Sequence, residues 1–166
     1  MGCLSKRSAQ VLGLASVLFS TNASAGQTAS QDIQKEVITA CLVLEAGVEG
    51  NPGMQGVMNV IDNRASGNPN DFYSVVTRSR QFSSLNGVSG GAPENYWPVI
   101  AYARSSRRWT DAEMIVERAF ARNLPDLTGG ATYYYSLGIK SPPKWAQSLQ
   151  ETVRIKHQRF MREPRV

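Results

Sequence analysis

Ile38-Thr39-Ala40-Cys41-Leu42-Val43-Leu44-Glu45 is the stretch on which the fold turns, because Ile38, Cys41, Leu42 and Glu45 recur at the i, i+3, i+4, i+7 spacing of one helix face. A carboxylate therefore shares a stripe with apolar side chains. Such a group is either desolvated and kept partly protonated, ready to donate a proton to a departing oxygen, or it turns outward to water at the helix end. Periodicity leaves both readings open.

Downstream, Gly47 and Gly50 loosen the chain, and Asn51-Pro52 predicts an N-cap with proline at the first helical position. The helix that follows buries Met54, Val57, Met58 and Ile61 and runs to about Arg64, where Gly67, Asn68, Pro69 and Asn70 break it. A short helical piece around 71–76 leads to Arg78–Asn86 and a Gly/Ser loop through Gly91. Helical spacing returns with Tyr96, Val99, Ile100 and Ala103, and again with Ala112, Ile115, Val116 and Ala119 behind a capping box from Thr110 to Glu113. Thr128-Gly129-Gly130 is a turn before the β-favouring Tyr133-Tyr134-Tyr135, and residues 152–160 are β-branched and alternating. The expected fold class is α+β, mainly helical with a small antiparallel β region.

Upstream, Lys6 and Arg7 precede an apolar run from Val11 to Phe19 and the small-residue site Ala23-Ser24-Ala25, the pattern of an export signal cleaved before Gly26. The run is too short for a bilayer span of about 20 residues. Cys3 stands ahead of the apolar run, where a lipid-attachment cysteine would not be. The expected organisation is a signal peptide over 1–25, a disordered small and polar start over 26–31, and one domain over 32–166. The product is expected in the periplasm or outside the cell, as a monomer with no stable membrane span. Processing takes two of the 18 basic residues with it, and the formal charge falls from +5 to +3. The remaining basic residues are scattered apart from Arg104, Arg107 and Arg108, and no nucleic-acid-binding signature accompanies them, so nucleic acid is not an expected partner. Cys41 is alone after processing, which leaves no internal disulfide, and its apolar neighbours mark it as a buried small hydrophobe. His157 is the sole histidine and no Cys or His pair has ligand spacing, so neither a metal nor another cofactor is expected.

Two further groups could carry chemistry. Glu49 lies one turn beyond Glu45 if the helix continues past Gly47, which would put two carboxylates on one side for acid and base work; otherwise it favours the N-terminus of the next helix through the dipole. On a strand, Tyr133 and Tyr135 share one face and Tyr134 takes the other. Tyrosines suit a wet carbohydrate groove, yet as often cover a small core, and the core is the expected place for them and for Trp97, Trp109 and Trp145.

Glu45-Ala46-Gly47-Val48-Glu49-Gly50 resembles the Glu-Ala-Arg-Gly-Glu segment that opens the SleB-type cell-wall hydrolase family. The likeness continues in order through Val57-Met58-Asn59-Val60-Ile61-Asp62-Asn63-Arg64, Arg80-Gln81-Phe82-Ser83, and Asp126-Leu127-Thr128-Gly129-Gly130-Ala131 with Tyr133 and Tyr135. It implies a lysozyme-like arrangement of helices and cleavage of peptidoglycan glycan strands between N-acetylmuramic acid and N-acetylglucosamine, in the manner of a lytic transglycosylase. It implies Glu45 as the catalytic acid, with Glu49, Gln81, Ser83, Tyr133 and Tyr135 near the glycan. Gly47-Val48 replaces the family's Arg-Gly, and Ser136 stands where asparagine is usual. The family's histidine aligns with Gln158, and His157 stands one place early, on the opposite strand face. A non-catalytic wall-binding protein on the same fold is the alternative, disfavoured by the cost of keeping an unpaired carboxylate on an apolar face.

Overall fold

The computed structural model describes residues 20–88 and 91–164. Helix α1, Ser20–Ala46, is surrounded by α2 (Gly50–Arg64), α3 (Phe72–Thr77), α4 (Trp97–Arg104) and α5 (Trp109–Phe120). From Val37 to Val43 it is buried on every side, and Val37, Ile38, Ala40, Cys41 and Leu42 are all fully buried, as a helix segment enclosed by others requires. Cys41 is a free thiol in this core, and burial pushes its pKa well up. The molecule is a mainly helical α+β structure.

In the structure the helix α1 runs through residues 26–31. The charged start and apolar run of the expected export signal lie outside the described residues. Two local expectations are corrected. First, α2 begins at Gly50 rather than after an Asn51 cap, because a 3-10 turn over Gly47–Glu49 feeds into it through Gly50 at φ +69°, a conformation that favours glycine. Second, α5 begins at Trp109, which places Thr110 inside the helix. No capping box forms, and Asp111 in the first turn instead pairs with Arg108 at 3.3 Å. No helix among the described residues is long and apolar enough to cross a membrane.

The sheet has the order β1-β3-β2, with β1 Tyr133–Ser136, β2 Gln150–Ile155 and β3 Gln158–Arg162, all antiparallel. It packs on α2 through Val60, Ala131 and Phe160. Two glycines of α2 make the approach close enough. A Cβ on Gly56 would stand 2.6 Å from the Phe160 ring, and one on Gly53 would stand 3.3 Å from Gln158 Oε1 of β3 and 2.2 Å from the Glu49 side chain. Glycine inside a helix costs roughly 1 kcal/mol relative to alanine, and here that cost lets the sheet lie against the helix backbone.

Candidate active site

Glu45 occupies the last turn of α1, half-buried, with Cys41 one turn behind it in the core. Three donors address its carboxylate. A 3-10 turn over Ser83–Leu85 is anchored on either side by the buried rings and chains of Phe82 and Leu85, and the two serines between them face α1. Ser83 Oγ donates to Glu45 Oε1 at 3.1 Å and the Ser84 backbone N–H donates to the same oxygen at 2.8 Å. The other oxygen, Oε2, accepts from the Tyr134 hydroxyl at 3.0 Å.

Tyr134 reaches Glu45 because α2 fixes the strand that carries it. Gln55, Asn59 and Asn63 follow one another at four-residue spacing and form a polar ridge on α2. Gln55 and Asn59 donate to the Pro125 carbonyl (2.9 and 3.2 Å), Asn59 Oδ1 accepts from the Leu127 N–H (3.0 Å), and Asn63 donates to the Ala131 carbonyl (3.0 Å). Within the loop, Asp126 accepts from the Thr128 N–H and hydroxyl and from the Gly130 N–H. Burial would raise its pKa, but these bonds outweigh it and hold the carboxyl below its ordinary value. The motif from Asp126 to Ala131 is thus a brace that aims β1. The Tyr134 ring then stacks on Phe160 with centroids 5.8 Å apart. Burial, and after it the nearby Glu45 charge, push the Tyr134 phenol well above 10, so it stays a donor at neutral pH.

Glu49 is not part of this arrangement. Its carboxylate accepts from the His157 backbone N–H at 3.2 Å and meets His157 Nδ1 at 3.3 Å, which ties the β2–β3 turn to the start of α2. The helix does not continue past Gly47, so the alignment of two carboxylates is lost. Gln158 is buried beside Gly53, and its Oε1 has no partner among the described residues. Of the other expected groups, Ser83 touches Glu45, while Gln81 is exposed and closes a turn onto Arg78 with its backbone N–H. Tyr133 is half-buried and donates to Glu163 at 3.1 Å. Tyr135 is buried in a small cluster with Ala146 and Met161. The tyrosine at the carboxylate is therefore the middle one, on the strand face opposite to the pair singled out from sequence. Ser84 was equally out of reach of sequence reading, since it acts through its backbone. The core assignment of the tryptophans holds for Trp109 alone; Trp97 and Trp145 are exposed. A cavity of about 260 Å³ borders the same turn, lined by Phe82, Leu85, Arg78 and Tyr96 without Glu45.

Residues 48–161 match the family described as Cell Wall Hydrolase. The chain belongs to this cell-wall hydrolase family. The match spans more than half of the chain, takes in the α2 ridge, the serine turn, the brace and the three strands up to Met161, and begins three residues after Glu45. No curated protein and no solved structure matches. Membership makes this cell-wall hydrolase a peptidoglycan-cleaving protein in general terms, and supports the resemblance read from the four sequence segments.

Proposed function

We propose that this cell-wall hydrolase cleaves the bond between N-acetylmuramic acid and N-acetylglucosamine as a lytic transglycosylase, with Glu45 as the acid and then the base. The observation that carries the reading is a half-buried carboxylate held, among the described residues, by three donors from two distant segments. Of the other carboxylates weighed for a second catalytic role, Glu49 accepts from the His157 backbone N–H and Asp71 accepts from Asn68 at 2.8 Å, while Asp62 lines a separate small cavity with Arg122.

Protonated Glu45 gives its proton to the glycosidic oxygen as the bond from the muramic acid C1 breaks. The carboxylate it leaves is received by the Ser83, Ser84 and Tyr134 donors. It then takes the proton of the sugar's own 6-hydroxyl as that oxygen bonds to C1, closing a 1,6-anhydro ring without consuming water. A hydrolase would need a second carboxylate to direct water. Gln81 and Tyr133, at the accessible rim, are proposed glycan contacts, and the chain is proposed to be exported and cut before Gly26.

Incubation of the protein with purified sacculi, followed by mass spectrometry of the released fragments, tests this. Muramic acid ends lighter by one water and resistant to borohydride are expected. Solely reducible ends would overturn the transglycosylase assignment and leave the substrate standing.

A further inference from the structure

Arg64, the last residue of α2, is surrounded by aromatic rings and backbone rather than by carboxylates. Its guanidinium lies 5.5 Å from the centroid of Phe82 and 5.8 Å from that of Tyr133, and its Nε donates to the Thr132 carbonyl at 2.7 Å. Nη1 is buried with no partner among the described residues. Burial pushes the guanidinium pKa down, opposed by Tyr134, Tyr133 and Cys41, yet an arginine remains charged at any working pH. Leaving a buried donor unpaired is costly, and an unbranched apolar side chain of similar length would fill the same slot without that cost.

The contacts of Arg64 explain what the charge could be kept for. Thr132 stands two residues before Tyr134, and Phe82 stands one residue before Ser83. Every hydrogen bond described above for the Glu45 carboxylate comes from one of these two segments. Arg64 also shares its electrostatic neighbours with Glu45, since both act on Tyr134 and on Cys41. We propose that Arg64 is a positioning residue of the reaction, locking the strand that carries Tyr134 and the turn that carries Ser83 and Ser84 in register on Glu45. The inference rests on the assignment of Glu45 as the acid.

The test is a set of purified variants assayed on sacculi beside their melting curves. Arg64→Met is expected to melt at or above the parent temperature and to lose about 10–100-fold in kcat with KM little changed, because displaced donors cost rate rather than substrate binding. Arg64→Lys, which keeps the charge without the planar fork, is expected to recover part of that loss. If Arg64 acts through Tyr134, then Arg64→Met in a Tyr134→Phe background adds much less than it does alone. Additive losses, a kcat that falls only in step with the melting temperature, or full activity of Arg64→Met beside an inactive Glu45→Gln would each overturn this proposal alone. An active Glu45→Gln would instead remove the acid assignment on which it stands.

Discussion

Glu45 and Glu49 leave the same helix junction four residues apart, and their surroundings share nothing. Glu45 stays on α1, half-buried, with hydroxyl and backbone donors arriving from two distant parts of the chain. Glu49 stands in the 3-10 turn after Ala46, with its side chain 11% exposed, and receives the backbone of a β-turn. The tighter winding of that turn breaks the one-turn alignment that a continuous helix would give. Carboxylates adjacent in sequence have thus been divided between two tasks. One meets donors from two distant segments, and the other is fixed to the scaffold. Closeness in sequence therefore does not give the two acids a shared environment.

The most forceful way to break this contrast is to change both carboxylates in the same manner. Glu45→Gln is expected to lose activity by about 10³-fold or more with an unchanged melting curve, since the amide keeps shape and bonding but has no proton to give. Its oxygen can still accept from the two serines, and its NH2 can donate to Tyr134. Activity on sacculi and thermal melting measure the two halves of the statement. Comparable inactivation by Glu49→Gln with its fold intact would show that the division of tasks is misread.

A smaller effect sharpens the Glu45 side. Tyr134→Phe deletes one hydrogen bond to a charged group while leaving the ring on Phe160, and is expected to lower kcat about 10–100-fold. Tyr135→Phe should leave kcat near the parent value, because that ring belongs to the cluster of Ala146 and Met161. Equal losses in the two variants would mean that the strand face nearest the carboxylate does not set the rate.

The comparison also separates what was legible in the sequence from what was not. The apolar periods around Ile38, Met54 and Ala112 predicted their helices because burial on one face dictates where large side chains recur. Glu45 was legible for the same reason, as a polar residue on such a face. The middle tyrosine was not. Strand alternation says that Tyr134 opposes Tyr133 and Tyr135, but which face meets α1 depends on the polar ridge of α2 and on the close approach at Gly53 and Gly56. The ridge bonds join residues 66 to 70 positions apart and Gly56 meets Phe160 still farther along the chain, so no local pattern encodes them. Ser84 was hidden differently, because its contribution is a backbone N–H common to every residue but proline.

The weakest expected effect falls on the Glu49 side, where the carboxylate holds the β2–β3 turn. Its carboxylate is nearly enclosed, while the His157 side chain is 80% exposed, so the two ends of this contact should respond unequally to mutation. Glu49→Gln keeps an oxygen for the His157 backbone N–H but loses the charge that strengthens the bond, and is expected to destabilise by about 1–2 kcal/mol. Activity per folded molecule should stay within a few-fold of the parent. His157→Ala removes only a solvent-screened ring contact and leaves the backbone donor in place, so its cost should fall below about 0.5 kcal/mol. The double variant separates the backbone bond from the ring contact. If the backbone bond dominates, Glu49→Gln costs the same whether or not the imidazole is present, and the two changes add. Urea unfolding of the four proteins measures this directly. A cost for His157→Ala as large as that for Glu49→Gln, absent in the Glu49→Gln background, would show that the imidazole and not the turn backbone is what Glu49 holds.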